Sequence, residues 1–140
     1  MLETLILLGV LQLPPNPYTT IGEDGQIVVT GDEKPLEERP HLTKQSGVFD
    51  GPSGKETYYN LNMNRVVSNM RSLGYSEEEY PYGVREDGVK MLGEYVIIAA
   101  NLNIRPRGTI VETSLGPGIV CDTGSFANYN TTQIDIAVTW

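Results

Sequence analysis

Tyr95-Val96-Ile97-Ile98-Ala99-Ala100 is a continuous apolar run of six residues, and the expected architecture follows from it. The run is too short for a core helix, is rich in β-branched residues and follows Gly93, so it predicts a buried strand. Three more segments of strand texture come after it: Thr109-Ile110-Val111-Glu112-Thr113, Gly118-Ile119-Val120-Cys121 and Gln133-Ile134-Asp135-Ile136-Ala137-Val138. Glycine and polar turns separate them, and short strands at this spacing predict a barrel or a sandwich. At least four strands are expected over residues 94 to 140. Upstream, Val66, Val67, Met70 and Leu73 recur at helical spacing from Met63 to Leu73, and Gly74 supplies a stop. Ser76-Glu77-Glu78-Glu79 has capping-box form and predicts a short second helix, which Pro81 limits.

Residues 14 to 45 are rich in proline, glycine and acid, and within them only Gln26-Ile27-Val28-Val29-Thr30 reads as a strand. The chain therefore divides into an arm over residues 1–41 and a compact domain over 42–140, with a helical insertion at about 63–93. Leu5 to Leu13 is apolar but sits behind Met1-Leu2-Glu3-Thr4 with no basic region. It reads either as a fragment of a signal peptide or as an N-terminal strand. No run reaches the ~18 apolar residues of a membrane span. The formal charge of -8 argues against nucleic acid as a partner, because phosphates need clustered Lys and Arg. Cys121 is the lone cysteine and His41 the lone histidine. The thiol reads as a small buried hydrophobe, and no His, Cys and carboxylate set has metal-ligand spacing. No metal or cofactor is expected.

Two apolar residues followed by Asp122-Thr123-Gly124-Ser125 resemble an aspartic-protease loop. That chemistry needs two such aspartates sharing one proton, and in a dimeric retroviral-type subunit most strands follow the motif. Here only sixteen residues follow Gly124. The same residues fit a longer pattern: Ala99-Ala100-Asn101, then Arg105-Pro106-Arg107-Gly108-Thr109, then Asp122-Thr123-Gly124, then Ile134-Asp135-Ile136. In order and spacing this resembles the three-aspartate domain and the catalytic core of the membrane-bound lytic transglycosylase A family. The resemblance is close over about the last fifty residues. It departs at Asn101, where the family has its first aspartate, and at Ser125, where the family has glycine.

The resemblance implies a mainly β, six-stranded double-psi β-barrel-like domain with one or two inserted short helices. It also implies a peptidoglycan lytic transglycosylase acting on glycan strands at the cell wall, outside the cytoplasm, after secretion or phage delivery. The other reading is a non-catalytic wall-binding or phage-associated structural module that keeps the fold. By resemblance Asp135 matches the catalytic aspartate and Asp122 its partner in the cleft, with Asn101, Thr109, Thr123 and Gly124 around them. Asp135 is suited to the task by its own context, since Ile134 and Ile136 on either side enter a core while it points the other way. Ser46 to Asn60 is rich in tyrosine and short polar residues. It reads as a sugar-binding groove with Glu56 as a second acid or acceptor and Tyr58 as a contact, or as a turn whose tyrosines pack a core edge.

Overall fold

The computed structural model describes Thr19–Ile21, Ile27–Val29 and residues 34–140, so the Leu5 to Leu13 reading lies outside the described residues. The chain divides into two units, one ending at Arg39 and the other running from Pro40 to Trp140. In the first, β1 (Thr19–Ile21) pairs antiparallel with β2 (Ile27–Val29). Only β2 is legible in the residues.

The second unit is mainly β, with one α-helix and eight strands in a mixed sheet. The strands are β3 (Phe49–Gly51), β4 (Gly54–Tyr59), β5 (Tyr82–Val84), β6 (Lys90–Leu92), β7 (Tyr95–Ala99), β8 (Ile110–Thr113), β9 (Gly116–Asp122) and β10 (Ile134–Ala137). Their order is β3-β4-β10-β7-β6-β5, with β9 on the other edge of β7 and β8 outside β9. No pairing joins the outermost strands, so the sheet is not closed into a barrel. The four strands expected after residue 94 are β7 to β10. At the centre, β7 carries β9 in parallel along one edge. Its other edge is shared, β10 taking the Ile98–Ala99 end and β6 the Tyr95–Val96 end. Enclosed on both sides, Val96 to Ala100 are buried, which is why this stretch reads as an unbroken apolar run.

The helix α1 (Asn64–Ser72) begins where Asn62 Oδ1 accepts the Asn64 N–H at 2.9 Å. It ends in a glycine cap: Gly74, at φ 102°, donates to the Arg71 carbonyl and Tyr75 to the Met70 carbonyl. Met63, Val66 and Met70 pack with Leu92, Ile97, Ile119, Cys121 and Ala137. The expected second helix does not form. Ser76 Oγ does accept the Glu79 N–H at 3.3 Å, but a single turn closes from Tyr80 to the Ser76 carbonyl before Pro81 stops it. The rest of the insertion is the β5–β6 hairpin, which adds strands to the sheet instead of a helix to its surface. Its turn is held by Arg85 donating twice to Asp87, at 2.9 and 2.8 Å.

Candidate active site on one face of the sheet

Asp135, in β10, is paired with Ala99 of β7 on one side and with Thr57 of β4 on the other. Ala99 is paired in turn with Asp122 of β9. One row thus crosses four strands, Asp122–Ala99–Asp135–Thr57, and directly paired residues present their side chains on one face. The aspartates are two strand spacings apart, about 10 Å between backbones, with Ala99 between them in the row.

A bulge makes this row possible. The β7–β9 register runs Ile97 with Ile119 and Ile98 with Val120, then shifts so that Ala99 meets Asp122 and Cys121 is skipped. Without that extra residue Asp122 would face the other side, because a one-residue slip turns every side chain over. Cys121 settles into the core at 1% exposure, and burial pushes its thiol up to about 12. It is inert packing, not a nucleophile.

Thr57 Oγ1 donates to Asp135 Oδ1 at 2.9 Å. Tyr59, two residues on and therefore on the same face, donates its hydroxyl to Asp122 Oδ2 at 2.9 Å. The other Asp122 oxygen accepts the Thr123 N–H at 2.9 Å. Asp135 is half-buried, and burial raises its carboxyl above the usual carboxylate range. The Thr57 hydrogen bond opposes the rise and the Asp122 charge adds to it. Burial, then the charge and hydrogen bond of Asp122, then the charge of Asp135 hold the Tyr59 phenol far above its ordinary value. Tyr59 therefore stays a donor. The arrangement sets a carboxyl that holds its proton more tightly than usual beside a second carboxyl whose oxygens are already hydrogen-bonded.

Two of the remaining sequence candidates lie on the opposite face. Glu56 is paired with Ile134, not Asp135, so it points to the opposite face. It is fully buried, with Oε1 accepting from Ser114 Oγ at 2.5 Å and Oε2 from the Ser114 N–H at 2.8 Å. A Cβ on Gly51 would collide with its carboxyl, so glycine there makes the room. Tyr58 shares that opposite face; its hydroxyl donates to the Lys44 carbonyl and its ring stands edge-on to Trp140 at 4.9 Å. Neither side chain shares the face of Asp135. The residues of this segment that reach the two aspartates are Thr57 and Tyr59, one position off, and only the parallel β4–β10 pairing reveals which parity faces them.

Asn101 lies just beyond β7, near the row, but its side chain builds a loop. Its Nδ2 donates to the Ala127 carbonyl at 3.1 Å, and its Oδ1 accepts from the Asn103 and Ile104 amides. Thr109 donates to the Pro106 carbonyl at 2.6 Å and fixes the turn before β8. Thr123 is exposed beside Asp122, and Gly124 precedes the 3₁₀ turn Ser125–Asn128 that receives Asn101. An added Cβ on Gly124 would press on the Phe126 ring at 3.1 Å. Arg105 bonds the Thr132 and Ser53 carbonyls, and Arg107 the Cys121 carbonyl. Arg105 thus ties loops together, and Arg107 ties its loop to β9. Among the described residues no group of three or more His, Cys, Asp or Glu is arranged for a metal ion, and no helix is long and apolar enough to cross a membrane.

No protein-family model matches the chain, and no curated protein and no solved structure matches it significantly.

Proposed function

We propose that this chain is a peptidoglycan lytic transglycosylase of the three-aspartate type, with Asp135 as its single general acid and base. The observation that carries the reading is the row that sets Asp135, half-buried and with a raised carboxyl, on one face with Asp122 and Tyr59. The order of motifs that resembles that family supports it. So do the parallel pairings β4–β10 and β7–β9, which require crossover connections of the kind a double-psi barrel uses. On this reading the sheet is a relative of that barrel with the β5–β6 hairpin added.

The chemistry needs one carboxyl. Asp135 gives its proton to the glycosidic oxygen as the bond from the muramyl anomeric carbon breaks, and the N-acetylglucosamine leaves as an alcohol. The muramyl 6-hydroxyl closes on the anomeric carbon and returns its proton to Asp135, leaving a 1,6-anhydro ring. No water enters, so the second carboxyl of a hydrolytic glycosidase is not required. Asp122 helps by its charge, which keeps the proton on Asp135 until transfer. Tyr59 holds Asp122 in place. Asn101, occupied by its loop, supplies no proton. The site of action is the cell wall, outside the cytoplasm.

Digestion of purified peptidoglycan by the full chain, followed by mass spectrometry, tests this. The expected products are anhydromuropeptides that have gained no water. Products with a reducing end would replace the reading with hydrolysis. Sedimentation with the wall and no release would replace it with a wall-binding module.

A further inference from the structure

We propose that Asn130, Gln133 and Thr57 form a positioning relay that fixes which oxygen of Asp135 carries the transferable proton. The inference rests on the reading of Asp135 as the acid and adds three residues that the motifs do not mark. Asn130 Nδ2 donates to Gln133 Oε1 at 3.0 Å, and the Gln133 amide N–H donates to the Asn130 carbonyl at 3.1 Å. The turn before β10 is thereby closed twice. With its oxygen engaged, the Gln133 side chain aims Nε2 at Thr57 Oγ1, 2.9 Å away. A hydroxyl has one proton, and an N–H donated to its lone pair leaves that proton to go elsewhere. It goes to Asp135 Oδ1 at 2.9 Å.

With the chain in this direction Oδ1 is an acceptor in both protonation states, and the proton of the neutral carboxyl sits on Oδ2. Gln133 is 7% exposed, so water does not readily replace a bond that the relay gives up. Reversing the chain would turn both amides and the Thr57 hydroxyl together, and an ionised Asp135 would then face a hydroxyl oxygen with no proton to give it. The same donor tempers the acid, because a hydrogen bond to the ionised form opposes the rise caused by burial. Without it the proton would be held more tightly and on either oxygen. The titratable groups facing Asp135 are Asp122 from β9 and Tyr59 from β4, while β7 contributes Ala99. Arg107, bonded to the Cys121 carbonyl, is the cation beside that end of β9.

The test is the titration of the Asp135 carboxyl by carbon-13 NMR in the full chain, which needs no substrate. Thr57→Val should move the midpoint to higher pH, Thr57→Ser should restore the wild-type value, and Gln133→Leu should move it in the same direction by less. If Thr57→Val fails to fold, Gln133→Leu decides by the same direction. In peptidoglycan digestion the basic limb of the pH–rate profile should move upward with the midpoint. A downward shift in either variant would mean that the hydroxyl accepts from Asp135, and no shift would mean that it does not govern the carboxyl. Either result overturns the relay. Shifts as expected in a protein that releases no anhydromuropeptide would leave the relay standing and remove the proposed activity.

Discussion

Glu56 and Asp135 lie on neighbouring strands one register step apart, yet they face opposite sides of the sheet and do different work. Burial raises both carboxyls. Glu56 has no exposed surface, and both of its oxygens are spent on Ser114, whose hydroxyl also accepts the Leu42 N–H at 3.0 Å. It is a clasp joining β4, the β8–β9 turn and the start of the domain. Asp135 is half-buried, with one oxygen on Thr57 and a charged neighbour across Ala99. A raised carboxyl marks a candidate acid only when substrate can reach it and an oxygen is left to act. Of the two, Asp135 meets that condition.

The comparison breaks most visibly through Glu56→Ala. This change leaves the Ser114 N–H without its acceptor and a cavity beside it, so urea unfolding should show a loss of about 2–4 kcal/mol. A loss near zero would mean that Glu56 is not the clasp. Next in size is Asn101→Asp, which introduces the aspartate of the motif that the sequence resembles. A carboxylate cannot donate to the Ala127 carbonyl, so the loop should loosen and stability fall by about 1–2 kcal/mol. A gain in activity with unchanged stability would show Asn101 to be a defective acid and not a loop residue. The smallest effect is in pH dependence. A folded carboxyl raised above its ordinary value, 4.5 for Glu56 and 3.8 for Asp135, adds stability that is complete below that value and fades as pH rises through the raised one. Stability should therefore decline from mildly acid toward neutral pH, and Glu56→Gln should flatten that slope, as unfolding at a series of pH values would reveal.

The central strand was legible because Val96 to Ala100 are enclosed from both sides and so carry no alternation. The helix was legible because Val66 and Met70 fall on one stripe and Gly74 ends it. The β5–β6 hairpin was not, since Tyr82-Gly83-Val84 is three residues long with glycine at its centre, too little pattern to separate from a turn. At the site, Asp122 and Asp135 stood out through their motifs. Two things that place them did not. The bulge at Cys121 leaves no residue signature, because cysteine is as apolar as the core residues before it. The parity of β4 depends on a parallel pairing with a strand 78 residues away. Glu56-Thr57-Tyr58-Tyr59 holds polar groups of both parities, so the residues alone favoured Glu56 and Tyr58 over Thr57 and Tyr59.

One measurement sets the two carboxyls directly against each other: anhydromuropeptide release from purified peptidoglycan by wild type, Asp135→Asn and Glu56→Gln. An amide at position 135 still accepts from Thr57 but has no proton to give, so Asp135→Asn should stay folded and lose about 10²–10⁴-fold in rate. Glu56→Gln should keep its rate wherever it remains folded. Full activity in Asp135→Asn together with loss in folded Glu56→Gln would contradict the account and move the acid to the buried face.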